Sequence, residues 1–133
     1  MIVFDLTNKY KIIGYGIAFD LKSSGALSKY PDSILNGSID NRISGNINFS
    51  FPFLKGMSII RLMPQLAVSS GSACNSSDPK PSHVLTQIGR SKLDVNTSLR
   101  IGIGRFNTQG DIKIAIDAII KAIDKKTQSI SSI

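Results

Sequence analysis

The sequence is poor in the residues that form covalent bridges and metal centres. It has one cysteine, Cys74, and one histidine, His83. One cysteine cannot form an internal disulfide, which is typical of proteins in a reducing compartment, so we expect a cytoplasmic location. One cysteine and one histidine are also too few ligands for a zinc site. The composition therefore predicts neither a disulfide-stabilised fold nor a metal centre.

Long hydrophobic runs are also absent. No stretch of about 18 consecutive apolar residues occurs, so the sequence predicts no membrane-spanning helix and no membrane partner. The first residues, MIVFDLTNKYK, lack the basic region, apolar core and small-residue cleavage site of a signal peptide. We therefore expect no secretion signal.

Acidic residues are few compared with basic ones. The chain has 9 Asp and Glu against 16 Lys and Arg, which gives a formal net charge of +7. A basic surface can attract nucleic acid or an acidic protein. The basic residues are scattered along the chain, however, and no aromatic residues alternate with them as they do on base-stacking surfaces. The pattern favours a solvated basic surface and no nucleic-acid partner, while an acidic protein partner stays open.

The chain has 133 residues, of which 41% are hydrophobic, enough for one domain with a modest core. Two segments have the alternation of half-buried strands. The first begins at Asn46, with Ile47, Phe49 and Phe51 on one face, and ends at Pro52. The second covers residues 98–104, where apolar residues alternate with Arg100 and two glycines.

Helical patterns follow the strands. Thr108 and Asp111 predict the N-terminal cap of a long helix. Its apolar face has five residues: Ile112, Ile116, Ile119, Ile120 and Ile123. Residues 81–88 predict a second helix that ends at Gly89, with one apolar face formed by Val84, Leu85 and Ile88. A short helix is expected before Pro64, and a short strand at Leu66 and Val68. These elements predict an α+β domain, a small sheet with helices on one face.

The ends of the chain are less regular. Residues 1–29 contain two weak strand patterns, Ile2 to Leu6 and Ile12 to Phe19. Residues 127–133 are rich in serine and are expected to fray. We therefore divide the chain into an unassigned segment at 1–29, a domain at 30–126 and a frayed tail at 127–133.

Cys74 is the candidate nucleophile. Its neighbours are small and polar, in the run SSGSACNSSD, which is typical of an exposed loop. A buried structural cysteine would have apolar neighbours instead, and an exposed one is a liability unless its reactivity is used. Lys80 and a helix that begins near Pro81 add positive potential nearby, which favours the reactive thiolate. The alternative is an unreactive surface thiol.

Arg100 is the candidate ligand-binding residue. It lies on the strand face that carries Gly102 and Gly104, where missing side chains let a ligand approach the backbone. A guanidinium binds a carboxylate through two parallel hydrogen bonds. The alternative is a solvent-facing strand arginine. A Cys74–His83 dyad of a thiol hydrolase is disfavoured, because no third residue that would orient the histidine is evident.

Several blocks of the sequence, in the same order, carry a family resemblance. They are PDSILNG from Pro31, GNINFSF from Gly45, SSGSAC from Ser69, PSHVL from Pro81 and SLRIGIGRF from Ser98. Together they resemble the C-terminal small domain of the cysteine desulfurases, which are pyridoxal phosphate (PLP) enzymes of the class V aminotransferase family. The resemblance runs from about Tyr30 to about Asp124 and implies the small-domain fold of fold-type I PLP enzymes.

The resemblance also implies roles for single residues. The family converts L-cysteine to L-alanine and passes the sulfur, as a persulfide, towards iron–sulfur clusters and thio-cofactors. Cys74 stands where the family's cysteine accepts that sulfur. Arg100 matches the arginine that holds the substrate carboxylate. His83 falls in the small-domain helix, where we expect a packing role.

The resemblance does not cover the family's PLP-binding large domain. The Schiff-base lysine and the phosphate site of that domain have no match in this sequence, so we expect the chain alone neither to bind PLP nor to release sulfur. Three hypotheses follow: a truncated, inactive desulfurase fragment, the small-domain half of a split desulfurase, or a persulfide carrier. Their partners would be a PLP-binding large domain, a full-length desulfurase, or an iron–sulfur scaffold or other sulfur acceptor.

Overall fold

A computed structural model describes residue 30 and residues 32–38, 41–43, 45–55, 59–70 and 81–132. The unassigned segment 1–29, with its two expected strands, lies outside the described residues. So do Cys74 and Lys80. The account below concerns the described residues only.

Three antiparallel strands form one sheet in the order β1-β2-β3. Strand β1 is Ile34–Leu35, β2 is Asn46–Ser50 and β3 is Ser98–Gly102. Strands β2 and β3 pair at every position from Asn46 opposite Gly102 to Ser50 opposite Ser98. The strands expected from Asn46 and Ser98 are thus confirmed, although β3 ends two residues before the expected Gly104.

The sheet has one apolar and one polar face, because side chains alternate along a strand. Ile47, Phe49, Leu99 and Ile101 are buried on the apolar face. On the other face, Asn46 and Arg100 are exposed and Asn48 is half-buried. The polar face is therefore the one on which a ligand can meet the sheet.

Two short helices precede β3, α1 at His83–Gln87 and α2 at Lys92–Asn96. The expected helix and its stop are confirmed: Gly89 has φ +84°, which suits glycine, and α1 ends before it. The expected apolar face of α1 is wrong in part. Leu85 is buried, whereas Val84 and Ile88 remain 57% and 49% exposed. Five residues make fewer than two turns, so α1 buries only one side chain.

Helix α2 was not predicted from the sequence. Its start is a capping box, in which the Ser91 hydroxyl accepts from the Asp94 N–H and the Asp94 carboxylate accepts from the Ser91 N–H. The serine-to-aspartate spacing is the local signal for this start. The helix is too short to show an apolar period, because Val95 alone is buried.

The long helix α3 is Gln109–Ser131. The predicted cap is confirmed as a capping box between Thr108 and Asp111. The predicted apolar face is confirmed too, with Ile116, Ile119 and Ile123 buried and Ile112 and Ile120 partly buried against the core. Helix α3 thus covers the apolar face of the sheet.

The structure places residues 127–131, part of the tail that we expected to fray, in the last turns of α3. Serine and threonine hydroxyls in this segment donate to backbone carbonyls four residues earlier. The bonds run from Thr127 to Ile123, from Ser129 to Lys125 and from Ser131 to Thr127, at 2.9–3.1 Å. Such bonds satisfy the hydroxyls of serine and threonine inside a helix, at a small cost to helix stability.

The segment between β2 and the Cys74 region has little regular structure. Its described residues form two short 3-10 helices, Pro52–Leu54 and Ile60–Leu62, the second of which lies where a short helix was expected before Pro64. The strand expected at Leu66 and Val68 is wrong. Only an isolated bridge between Ser69 and Arg100 forms there, and Leu66 and Val68 pack against the core as partly buried side chains.

A single core unites these elements and confirms the predicted α+β class. Its fully buried side chains come from the apolar sheet face, the segment after β2 and α3: Ile47, Phe49, Phe51, Leu54, Met63, Leu99, Ile119 and Ile123. Leu85 and Val95 are buried outside this cluster. No helix in the described part of the chain is both long and apolar enough to span a membrane.

Candidate functional site

A row of polar residues crosses the sheet on its polar face. Asn48 of β2 lies opposite Arg100 of β3. On one side of this pair, the Asn36 N–H donates to the Asn48 carbonyl at 2.8 Å, just after β1. On the other side, Ser69 forms the isolated bridge with Arg100. The row therefore runs Asn36, Asn48, Arg100, Ser69.

Asn48 and Arg100 lie close together because of the type of strand pairing. The backbone bonds of this ladder run from Phe51 N–H to Thr97 O and from Ile103 N–H to Gly45 O. Asn48 and Arg100 therefore occupy a position between hydrogen-bonded pairs. At such positions opposite side chains are nearest, with Cβ atoms about 4.5–5.5 Å apart.

Ser69 orients the Arg100 side chain. Arg100 Nε donates to Ser69 Oγ at 3.2 Å, and two backbone bonds of 2.7 and 3.2 Å link the same residues. The terminal nitrogens Nη1 and Nη2 have no partner among the described residues. They form the end of the guanidinium that can bind both oxygens of a carboxylate.

Asn36 orients Asn48. Its side-chain amide nitrogen donates to Asn48 Oδ1 at 2.7 Å and to Ser50 Oγ at 2.8 Å. Asn36 is only 6% exposed, so this contact is held inside the protein. The backbone near it is also fixed, because Arg42 Nη2 donates to the Asn36 carbonyl at 3.2 Å and Arg42 Nε donates to the Ser38 carbonyl at 2.7 Å.

Asn36, Asn48 and Arg100 border a cavity of about 530 Å³, a volume that accommodates a small-molecule ligand. The polar sheet face forms one side of the cavity and α1 the other. Its described lining comprises Asn36, Gly37, Asn46, Asn48, Pro81, Ser82, His83, Val84, Leu85, Ile88 and Arg100. Arg100 is the only Lys, Arg, Asp or Glu among them, so the described lining favours an anionic ligand.

Cys74 lies outside the described residues, but described residues on both sides of its segment are near Arg100 or the cavity. Ser69, five residues before Cys74, is bonded to Arg100. Pro81, seven residues after it, lines the cavity.

The packing role expected for His83 is wrong. His83 is the first residue of α1, is exposed and lines the cavity with Arg100. Leu85, two residues later, is the side chain that α1 buries. Because α1 begins at His83, its imidazole stands at the edge of the cavity and not in the core.

A second cavity, of about 370 Å³, lies between β3 and the start of α3. Its lining is largely aliphatic, including Leu66, Val68, Ile103 and Ile112, and Asp111 is its only described charge. The pKa of Asp111 is lowered by the Thr108 N–H and then by the Thr108 hydroxyl. This carboxylate already serves as a helix cap, so we assign no ligand to the second cavity. The described residues also contain no group of three metal-ligating side chains.

The sequence alone did not indicate Asn36, Asn48 or Ser69 as site residues. The signal for Asn48 was its place on the polar face of a predicted strand, in phase with Asn46. That phase shows which face a residue occupies but not which strand lies opposite. The pairing of Asn48 with Arg100 joins residues 52 positions apart and depends on the register of the folded sheet.

No protein-family model matches the sequence. Curated proteins do match it. The chain is 42% identical, over 86% of its length, to a protein named cysteine desulfurase IscS from Rickettsia typhi. It is 48% identical over 68% of its length to the protein of the same name from Psychromonas ingrahamii. It is 40% identical over 77% of its length to a mitochondrial cysteine desulfurase of Arabidopsis thaliana.

The chain spans about a third or less of these relatives, 32%, 23% and 22% of their lengths, and matches their C-terminal part. Two solved structures share its fold. A NifS-like protein superposes over 90% of the chain with a TM-score of 0.67 at 14% identity, which is evidence for the fold alone. A NifS-like protein from Rickettsia africae superposes over 89% with a TM-score of 0.62 at 25% identity.

Proposed function

The chain belongs to the cysteine desulfurase family, and from this premise we propose that it carries out the small-domain part of the desulfurase reaction. Arg100 binds the carboxylate of L-cysteine in the cavity between the sheet and α1. The Cys74 thiolate takes the sulfur atom of L-cysteine: an S–S bond forms as the Cβ–S bond of the substrate breaks, the carbon left behind takes up a proton to give L-alanine, and Cys74 carries the sulfur as a persulfide. The sulfur then passes to an acceptor such as an iron–sulfur scaffold.

The observation that carries this proposal is the free end of the Arg100 guanidinium. Nη1 and Nη2 have no partner among the described residues, and the described lining of the cavity contains no carboxylate that would compete for them. A guanidinium in this state offers two parallel N–H donors, which match the two oxygens of a carboxylate. The small volume of the cavity suits an amino acid.

The role of Cys74 is supported by the position of its segment. Ser69, before it, is hydrogen-bonded to Arg100, and Pro81, after it, lines the cavity that Arg100 also lines. A thiol carried between these two residues can collect sulfur from a substrate whose carboxylate Arg100 holds. The single cysteine of the sequence excludes an internal disulfide that would block it, and we place this function in the cytoplasm.

The described part of the cavity does not fit PLP by itself. A PLP site needs a lysine for the Schiff base, and no lysine is among the described lining residues. PLP supplies the electron sink of the family's chemistry, and we derive no step through it from these residues. We propose that this chain alone does not release sulfur and that a PLP-binding polypeptide supplies the rest of the reaction.

The test is intact-mass spectrometry of the purified chain after incubation with L-cysteine and PLP, with and without a full-length desulfurase. We expect a gain of one sulfur atom only when the second enzyme is present. The Cys74→Ser variant should gain none. Arg100→Ala should gain less than the unchanged chain if the sulfur is delivered from substrate bound in this cavity.

The outcomes separate the parts of the proposal. Sulfur on Cys74 without the second enzyme would show that the chain is competent alone. Sulfur on Cys74 that does not depend on Arg100 would favour a persulfide carrier, which receives sulfur directly from the other enzyme. No sulfur on Cys74 under any condition would contradict its role as acceptor.

A second candidate, the small-domain half of a split desulfurase, is favoured by exposed apolar residues at the cavity. Val84 of α1 and Ile88, which directly follows α1, both line the cavity although each is about half exposed. A partner surface that closed over α1 would bury them. Co-purification with a separately expressed PLP-binding large domain tests this candidate, and Val84→Ser with Ile88→Ser should weaken the complex.

A further inference from the structure

We propose that the side-chain amide of Asn48 is a second contact for the substrate carboxylate, and that Asn36 is the residue that positions it. The inference rests on the proposed function, because it assumes that Arg100 binds a carboxylate. It concerns two asparagines that the sequence did not single out. It follows from the order of the polar row Asn36, Asn48, Arg100, Ser69.

The first step is the orientation of the Asn48 amide. Asn36 lies on the β1 side of Asn48, and its amide nitrogen donates to Asn48 Oδ1 at 2.7 Å. The oxygen of the Asn48 amide is therefore held towards β1. Strand β3 lies on the opposite side of β2. The NH₂ group of Asn48 thus faces away from Asn36, on the side of Arg100, and has no partner among the described residues.

The second step is the orientation of Arg100. Its Nε is bonded to Ser69 Oγ, on the side of β3 that faces away from β2. Asn36 and Ser69, the outer residues of the row, therefore form hydrogen bonds to Asn48 and Arg100 on the sides of those residues that face away from each other. Between Asn48 and Arg100 the row has no hydrogen bond between side chains. Both residues line the cavity at this interruption.

The third step concerns which ligand can bind between Asn48 and Arg100. The Asn48 NH₂ and the Arg100 Nη groups are donors only, and two donors cannot satisfy each other. An acceptor with two oxygens completes both, since one oxygen can bind Arg100 while the other is shared with Asn48. A carboxylate has this geometry, and a charged acceptor strengthens each bond.

The fourth step concerns Asn36. Both of its amide hydrogens are used, one for Asn48 and one for Ser50. Its own Oδ1 is buried and has no hydrogen-bond partner among the residues that the structure describes. A buried acceptor without a partner lowers the stability of a fold. The position of Asn36 therefore does not maximise the number of its own hydrogen bonds. Its two donated bonds instead fix the orientation of Asn48.

The test is a titration of the ¹⁵N-labelled chain with L-alanine, followed by NMR. L-alanine methyl ester, which lacks the carboxylate, is the matched ligand control. The Asn48 NH₂ signals are identified by their loss in Asn48→Ala. We expect these signals to shift with L-alanine and to stay in place with the ester, a response that a purely structural asparagine would not give.

Variants measure the size of the effect. Asn48→Ala should raise the dissociation constant of L-alanine about tenfold, the loss expected for one hydrogen bond to a charged group. Asn36→Ala should raise it by a smaller factor, about threefold, because Asn48 remains but loses its orientation. Asn96→Ala, which removes an exposed asparagine on α2, should leave it unchanged.

The results distinguish this inference from the proposed function. If Arg100→Ala abolishes binding while Asn48→Ala leaves it unchanged, the inference is overturned and the role of Arg100 stands. If the unchanged chain shows no carboxylate-dependent shift at all, both are overturned. A variant that fails to fold is recognised by its lost signal dispersion. In that case the Asn48 NH₂ signals are assigned by triple-resonance NMR of the unchanged chain, and their response to L-alanine decides.

Discussion

At the scale of single residues, neutral side chains orient the groups that carry charge. The Arg100 guanidinium is anchored through one nitrogen by the Ser69 hydroxyl, which leaves its terminal nitrogens for a ligand. A similar contact ties Tyr30 to Asp124, where the phenol donates to a carboxylate on α3. In each case one short polar contact determines where a long or planar side chain points.

Tyr30 also packs its ring, stacked on Phe53 with centroids 5.2 Å apart. Tyr30→Phe keeps this stacking and removes the bond to Asp124. We expect the free energy of unfolding to fall by about 1–3 kcal/mol, as for a hydrogen bond to a charged group. Urea denaturation near neutral pH measures the change. An unchanged midpoint would contradict a stabilising role for this bond.

The pKa of Tyr30 predicts that the free energy of unfolding decreases at alkaline pH. Burial, followed by the hydrogen bond and the charge of Asp124, raises the pKa of Tyr30 above its ordinary value of 10.0. The folded state therefore holds the phenol proton more tightly than the unfolded state. Its contribution is fully present below pH 10 and decreases as the pH rises towards the raised pKa. The difference in stability between the unchanged chain and Tyr30→Phe should therefore shrink above pH 10.

At the scale of secondary-structure elements, local sequence determines where helices and strands begin and end. Both α2 and α3 start with a hydroxyl residue followed three positions later by aspartate, and both form reciprocal capping boxes. Gly89 ends the turn after α1 and Gly45 precedes β2, each with a positive φ. Each of these helix and strand boundaries depends on a few residues, so single substitutions can test them one at a time.

The cap of α3 predicts both a stability change and a pH dependence. Thr108→Ala removes the hydroxyl that accepts from the Asp111 N–H, and we expect a loss of about 0.5–2 kcal/mol. The pKa of Asp111 is lowered in the folded state, chiefly by the Thr108 N–H. Its contribution is therefore present above its unfolded pKa, near 4, and is lost as the pH falls through the lowered value.

Thermal unfolding followed by circular dichroism between pH 2 and 7 measures this dependence. The acid-induced loss of stability should be smaller in Asp111→Asn than in the unchanged chain. Asp32→Asn, which removes an exposed aspartate outside the cap, is the matched control. An equal loss in both variants would argue against the cap as its source.

The two glycines should differ in their tolerance of a side chain. A Cβ at Gly89 would meet no atom within 4 Å, so Gly89→Ala should cost only the left-handed strain, about 1–2 kcal/mol. A Cβ at Gly45 would lie 2.5 Å from the Ile103 carbonyl oxygen. Gly45→Ala should therefore cost about 3–5 kcal/mol, since the β2–β3 backbone must also move. Denaturant unfolding of both variants gives the comparison, and equal losses would contradict the predicted clash.

At the scale of the whole molecule, stability depends on one core shared by the sheet and α3. Fourteen buried residues form this cluster, and they come from segments between Tyr30 and Ile123. Leu85 of α1 and Val95 of α2 lie outside the cluster. The cavity therefore has a sheet wall that belongs to the main core and a helix wall that does not.

Helix α3 offers a matched pair of isoleucines to test the shared core. Ile123 is fully buried in it, while Ile114 is 58% exposed. Ile123→Ala should lower the free energy of unfolding by about 2–5 kcal/mol, because it leaves a cavity between α3 and the sheet. Ile114→Ala should change it by less than about 0.5 kcal/mol. Similar losses at the two positions would mean that α3 does not dock as described.

The sequence was sufficient for much of the fold. The period of the isoleucines along α3 and the alternation in β2 and β3 correctly predicted which faces are buried. Prediction failed where an element was too short to show a period. Helix α2 was missed, the strand at Leu66 and Val68 does not form, and α1 buries one side chain instead of three. In short elements, contacts with distant residues outweigh local preference.

For the site, the sequence by itself determined that Arg100 lies on the polar face of a strand, because alternation along a strand is a local property. It also determined the caps of α3 and the stop after α1. Only the tertiary structure decided that Asn48 lies opposite Arg100, that Asn36 is hydrogen-bonded to Asn48 and Ser69 to Arg100, and that His83 borders the same cavity. Strand register and helix docking join residues far apart in the chain, and they are set by packing of the whole core.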